Sequence, residues 1–150
     1  MNILLTSVSS HRAGPSGPAA ELLRLYLDRA ARYNPCSFRV FPTEVALLAF
    51  VSDATSRTRP TLLLADSRGK QLSSEELAST FGTVQDSGVQ QFILAIGPAD
   101  GWSAAALAAA TQTIAFGRIT LPHELATIVA AEQLYRALTI RAGHPYHSGH

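Results

Sequence analysis

The chain reads as one α/β domain on a mostly parallel sheet of about five or six strands, with helices on both faces. Three observations predict this. Ile3-Leu4-Leu5, Thr61-Leu62-Leu63-Leu64-Ala65 and Phe92-Ile93-Leu94-Ala95-Ile96 are short, near-continuous apolar runs, as expected of strands covered on both faces. Apolar residues at helical spacing follow each run, after a turn-rich loop. Hydrophobic residues make up 47% of the sequence against 15% charged, which suits a packed globule and excludes a disordered chain. The 150 residues fit a single domain, 1–150, with no linker or internal repeat.

The elements follow in order. Residues 2–8 form the first strand, and residues 9–18 (SSHRAGPSGP) a loop. Residues 19–33 form a helix with Leu22, Leu23, Tyr26, Leu27 and Ala30 on one side. A second strand covers 37–41. Pro42-Thr43-Glu44 then opens a helix to about residue 56, with Val45, Leu48, Ala49 and Val51 apolar. The third strand is 61–65, and Asp66-Ser67-Arg68-Gly69-Lys70 reads as a turn. Ser73 and Glu76 have capping-box spacing, so a helix starts there and runs to about residue 87. The fourth strand is 91–96. A loop Gly97-Pro98-Ala99-Asp100-Gly101 leads to Ser103, which caps an alanine-rich helix to about residue 111. Residues 114–116 form a fifth, short strand.

Pro122 precedes the last helix, where its fixed φ and missing N–H cost little. Leu125, Ile128, Val129, Leu134, Tyr135 and Leu138 give that helix a broad apolar face over about five turns. Glu132 and Arg136, four apart, read as a surface ion pair. Gly143 and Pro145 stop the helix. The tail beyond a stop is expected to add little to the core.

Composition narrows the function classes. With 12 basic and 11 acidic residues, charge neither suggests nor excludes a nucleic-acid partner. Cys36 is the only cysteine, so no intramolecular disulfide forms; it reads as a small buried hydrophobe in a reducing, cytoplasmic setting. No apolar run approaches a membrane span, and no signal peptide is evident.

In open α/β sheets ligands bind beyond the carboxyl ends of the strands. Three such ends are turn-rich here: 65–70, 97–101 and 117–122. Gly69-Lys70 is not a phosphate-binding P-loop, because the upstream glycine and the following Ser/Thr are missing. His144, His147 and His150 carry ligand chemistry for Zn²⁺ or Ni²⁺. Gly143, Pro145 and Gly149 make the tail irregular, however, and no neighbouring carboxylate orients the rings, so no metal is expected. His123, at the helix start, either contacts the loop at 97 or sits near the surface.

Leu121-Pro122-His123, Glu132-Gln133-Leu134-Tyr135-Arg136-Ala137 and Pro145-Tyr146-His147 resemble, in order and spacing, the C-terminal signature of the RlmH-type methyltransferases. Gly69-Lys70 followed by Ser73-Ser74-Glu75 is also similar, and Tyr26, Arg29 and Tyr33 match weakly. These are small enzymes of the SPOUT superfamily that methylate N3 of a pseudouridine in large-subunit (23S) ribosomal RNA. The resemblance implies a C-terminal trefoil knot, S-adenosylmethionine as cofactor and a homodimer acting on rRNA in the large subunit or ribosome, away from membranes. It implies a cofactor site at Ala65, Gly97, Gly117, Arg118, Ile119, Thr120, Leu121 and Pro122. It implies a substrate site with Tyr146, His147 as proton acceptor, and Arg136 (or Arg141) holding base oxygens or a phosphate. The alanines at 126, 130, 131 and 137 are expected to let a partner helix approach.

Three departures stand out. Pro98 replaces the second glycine of the family's loop; the resulting Ile-Gly-Pro-x-x-Gly is closer to a SPOUT family acting on N3 of a small-subunit uridine. Thr127 stands where arginine is common, with Arg118, Arg136 and Arg141 as candidate substitutes. The usual lysine-rich segment before the second helix is short. They motivate two alternatives: a SPOUT methyltransferase for another rRNA base, or a ribosome-associated RNA-binding protein without methyl transfer.

Overall fold

The computed structural model describes residues 1–10 and 13–148; His11, Arg12, Gly149 and His150 lie outside the described residues. Ten elements alternate: β1 (Asn2–Val8), α1 (Pro18–Ala30), β2 (Cys36–Phe41), α2 (Glu44–Ser52), β3 (Thr61–Gln71), α3 (Ser74–Asp86), β4 (Gln91–Ile96), α4 (Ala104–Ala109), β5 (Gln112–Ala115) and α5 (His123–Arg141). The five strands form one sheet in the order β2-β1-β4-β3-β5, parallel at every pairing.

Strand residues alternate between two cores. Ile3, Leu5, Leu63, Phe92, Leu94 and Ile96 face α1, α3 and α5, where Phe81, Leu134 and Leu138 meet them. Leu4, Val8, Leu62, Leu64, Ile93 and Ala95 face α2 and α4, against Leu47, Val51 and Ala106. Helices therefore cover both faces, and near-continuous apolar strands are the result. Thr6, on the second side, is fully buried, and its hydroxyl donates to the Arg39 carbonyl at 2.7 Å.

Local signals set most boundaries. The Ser73 hydroxyl accepts from the Glu76 N–H and the Glu76 carboxylate accepts from the Ser73 N–H, a complete capping box. Thr43 and Ser103 cap α2 and α4 with the hydroxyl alone, accepting from the Ala46 and Ala106 N–H groups. Pro18 occupies the first turn of α1. Two helices are shorter than the sequence suggests. α1 ends at Ala30, where single-turn bonds carry the chain to Asn34. α2 ends at Ser52; beyond it Ser56 and Arg57 bond to Thr58 and Gln90 instead of continuing the helix. The fifth strand lies two residues earlier than expected, at Gln112–Ala115.

The larger correction is at residues 66–70. They are not a simple turn after a five-residue strand, because β3 continues to Gln71. Ala65 pairs with Ile114, the register then shifts, and Lys70 pairs with Ile114 again. Gly69 makes this possible. A Cβ there would stand 2.7 Å from the Ile114 backbone and 2.8 Å from that of Thr113. Gly69→Ala is therefore expected to split β3 from β5, costing about 3 kcal/mol. Denaturant melts measure this; an unchanged midpoint would mean that the two backbones have room to part.

α5 packs on α1 and α3 of its own chain. Ala130, Ala131 and Ala137 are fully buried there, so these alanines serve close packing within the chain and are not free to admit a partner helix. Among the described residues the large hydrophobic side chains left exposed are Leu22, Leu25, Tyr33, Ile119 and Leu125, with Val45 apart on α2. Cys36 is half-buried, and burial pushes its thiol up to about 12, so it stays a neutral thiol. Among the described residues no helix is long and apolar enough to cross a membrane.

Candidate functional site

The register shift of β3 and the carboxyl ends of β4 and β5 open on a cleft of about 470 Å³, within the range of small-molecule sites. Ala65, Gly97, Gly117, Ile119, Thr120 and Leu121 all line it. Arg118 and Pro122 do not: Arg118 is exposed on the same loop, and Pro122 precedes α5 with its carbonyl accepting from the Ala126 N–H at 2.8 Å. Gly117 has φ +101°, a conformation that side chains resist, and a Cβ there would meet no protein atom within 4 Å. Its side faces open space.

Two ring N–H groups fix the inner walls. The Trp102 indole N–H donates to the Ala65 carbonyl at 2.8 Å. His123 Nδ1 lies 2.8 Å from the Gly97 carbonyl. A carbonyl only accepts, so Nδ1 carries the proton and Nε2 is left as an acceptor. That Nε2 is buried and has no hydrogen-bond partner among the described residues. Such an atom costs about 1–3 kcal/mol of lost hydration, so something must retain the ring. The indole also lies where a Cβ on Gly97 would fall, 2.8 Å away. His123 thus contacts the loop at 97, one of the two options its sequence position allows. Trp102 was not legible as a site residue; its one signal is being the only tryptophan, just after a glycine-rich turn.

Asp66 closes the cleft on another side. Its carboxylate accepts from the Arg68 backbone N–H at 2.8 Å, Nε at 3.2 Å and Nη2 at 3.1 Å. The Arg68 side-chain bonds hold its carboxyl below the usual range.

Arg136, Tyr146 and His147 do come together, at a different place. The Arg136 Nε and Nη2 donate to Glu132 Oε1 at 3.0 and 2.6 Å, and Tyr146 Oη donates to the same oxygen at 2.9 Å. Gln133 Nε2 donates to Glu132 Oε2 at 2.7 Å. The guanidinium lies 4.8 Å from the Tyr146 ring centroid. The Glu132–Arg136 pair is therefore mostly buried, not a surface pair, with side chains only 18% and 15% exposed. Arg136 Nη1 stands 3.1 Å from His147 Nδ1. A guanidinium only donates, so Nδ1 accepts, and Nε2–H donates to Glu75 at 2.9 Å. The His147 bond is the main reason the Glu75 carboxyl falls to about 2. Burial, then the Glu132 carboxylate, pushes the Tyr146 phenol up to about 12. Sequence reasoning missed Glu75 and the hub role of Glu132.

The tail is docked, contrary to the expectation that it adds little to the core. The Tyr146 ring packs 4.6 Å from Tyr135, and Tyr26 on α1 and Tyr33 in the turn after it approach Tyr135 at 6.3 and 6.4 Å. His144 Nδ1 accepts from the Tyr146 N–H, and both nitrogens of His147 are engaged; His150, the third of the spaced histidines, lies outside the described residues. Of the other candidate cations, Arg141 lies across Gly82 and pairs with Asp86 at 3.6 Å. Thr127 is fully buried, its hydroxyl donating to the His123 carbonyl. Arg136, Tyr146 and His147 do not line the cleft. Arg136 lies thirteen positions after His123 on α5, about 20 Å along its axis.

Residues 1–147 match the model of a family described as predicted SPOUT methyltransferase. The chain is 52% identical over 125 residues to the ribosomal RNA large subunit methyltransferase H of Koribacter versatilis (strain Ellin345), covering 83% of this chain and 85% of that protein. It is 39% identical over 165 residues to the protein of the same name from Sinorhizobium fredii, covering 98% and 99%. A probable methylase family protein from Haemophilus influenzae Rd KW20 shares the fold, with a TM-score of 0.61 at 10% identity over 99% of this chain and 71% of that one. The chain belongs to the SPOUT methyltransferase family.

Proposed function

We propose that the protein transfers a methyl group from S-adenosylmethionine to N3 of a pseudouridine in large-subunit rRNA. The observation that carries this reading is the cleft where β3, β4 and β5 open, together with relatives named for methylating that RNA. The cleft fits the cofactor. It has the volume for a nucleoside-sized ligand, a glycine whose open side faces it, and a buried histidine acceptor at its wall. Ala65, Gly97 and residues 117–121 would hold it through backbone groups. The family's trefoil knot would run through residues 65–71 and 112–122, where β3 meets Ile114 twice.

The cofactor supplies an activated sulfonium methyl, so the chain's own task is orientation and removal of the N3 proton. Glu75 holds Nε2–H of His147, which leaves Nδ1 as the lone pair that can take that proton. Arg136 covers Nδ1 in the docked tail. A base oxygen or phosphate that draws the guanidinium away would free it, and Glu75 would then stabilise the imidazolium formed. Tyr146 offers a ring for the base to stack on.

The 20 Å between a chain's cleft and its own tail network favours a homodimer in which the tail of one protomer serves the cleft of the other. Leu22, Leu25, Ile119 and Leu125 are exposed apolar side chains available for such an interface.

Three measurements test these points. Mass mapping of 23S rRNA from a deletion strain should show one pseudouridine lacking its methyl group, restored by the wild-type gene; loss at a different base would redirect the substrate. Gly117→Val, strained at φ +101° and projecting into the cleft, should abolish S-adenosylmethionine binding by calorimetry while lowering the melting temperature by a few degrees and leaving the protein folded. Unchanged affinity would move the cofactor elsewhere. The third uses two inactive chains, Gly117→Val and a truncation of residues 144–150. The truncation should keep cofactor affinity but lower the melting temperature by several degrees, since Tyr146 packs against Tyr135. Co-refolded, the two chains should regain methyl transfer, because one mixed site has an intact cleft and an intact tail. No recovery in verified mixed dimers would mean that cleft and tail act within one chain.

A further inference from the structure

Two neighbouring parallel strands reach the cleft, β3 at its register shift after Ala65 and β4 at its end before Gly97. The Ala65 and Gly97 carbonyls are each held by a ring N–H from a different element: Trp102 ahead of α4, and His123 at the first turn of α5. The two rings differ in what fixes them. Trp102 is buried against the Gly97 backbone. His123 is held by one hydrogen bond at Nδ1, with Nε2 buried and unpartnered among the described residues. Packing alone gives no reason for an imidazole here, since an apolar ring would avoid the stranded acceptor. The Nδ1–H bond is what the histidine adds.

We infer that His123 is a positioning residue of the cleft: its Nδ1–H pins the Gly97 carbonyl and so sets the width between the β4 end and the loop of residues 117–121. The geometry supports the direction of action. His123 begins α5, directly after that loop, and Thr127 ties the His123 carbonyl back into the helix. The loop's far end and the β4 end are thus joined by one side chain. The turn after Gly97 is closed by the Gly101 N–H donating to the Pro98 carbonyl at 2.9 Å, while the Gly97 carbonyl is taken by His123. This inference rests on the reading of the cleft as the S-adenosylmethionine site, and it concerns residues outside that site's backbone contacts.

The test uses amide replacements. Asparagine carries an N–H near the position of Nδ1, and glutamine carries one near Nε2. Calorimetry with S-adenosylmethionine on the full-length protein is expected to show His123→Ala binding about tenfold more weakly, the loss of one positioned hydrogen bond. His123→Asn should return to within about threefold of wild type, and His123→Gln should stay as weak as alanine. The KM for S-adenosylmethionine should follow the same order, raised in alanine and glutamine and near wild type in asparagine, since a positioning role here acts on affinity. If His123→Ala fails to fold, the asparagine and glutamine proteins decide alone. Wild-type affinity in His123→Ala, or glutamine rescuing better than asparagine, would overturn the pin. A wild-type protein that does not bind S-adenosylmethionine would instead overturn the cofactor reading of the cleft, and this inference would fall with it.

Discussion

The backbone contact at Gly69 is the constraint on which the rest of this structure depends. β3 leaves the sheet after Ala65 and returns so close to Ile114 that only hydrogen fits between them. β5, an edge strand of four residues, would be weakly held by a single short ladder. The second pairing from Lys70 and Gln71 holds it from both sides of the bulge. The position of β5 then fixes where residues 116–122 emerge, and with them the third wall of the cleft. Main-chain geometry shapes the cleft at Ala65, Gly97 and Gly117, where small residues bring the backbone to its surface, while Trp102 and His123 supply its ring walls.

α5 connects the two chemical centres. Its buried side supplies a large share of one core, so it behaves as a rigid rod between them. His123 at one end belongs to the cleft, and Glu132 and Arg136 in its second half organise the tail. A helix rises about 1.5 Å per residue, and no local flexing of a packed rod brings those centres together. Separation of this kind is a property of the helix, independent of what either centre does.

What was legible in the sequence follows from how local each signal is. β1 and β4 read correctly to the residue because buried parallel strands show as apolar runs, and the Ser73 cap read correctly because its partner is three residues away. Residues 66–70 misled because Asp-Ser-Arg-Gly-Lys has turn composition; its pairing depends on Ile114, over forty residues on. Ala65, Gly97 and the loop at 117–121 could be found as strand ends. Trp102 could not, since its donor role needs the Ala65 carbonyl across the fold. Glu132 and Arg136 were recognisable as a pair, but their burial comes from Tyr146 and His147, which lie past a helix stop. The helix stop reported correctly that the helix ends; it carried no information on whether the chain beyond it docks.

The tail network is held by charge balance more than by apolar area. Two carboxylates, Glu75 and Glu132, flank one guanidinium, and a neutral His147 bridges Arg136 to Glu75. The Glu75 carboxyl is depressed from 4.5 to about 2, so its contribution is complete above about 4.5 and lost as pH falls through about 2. Mild acid therefore leaves that carboxylate in place. In the docked tail Nδ1 of His147 accepts from Arg136, so the guanidinium is what covers that lone pair. A polyanion drawn to Arg136 would compete with Glu132, a carboxylate that also accepts from Tyr146 and Gln133. Glu132 keeps those two donors when the guanidinium turns away, so uncovering Nδ1 need not strand a bare buried carboxylate. The arrangement can open at one arginine without dismantling the ring packing of Tyr146 on Tyr135.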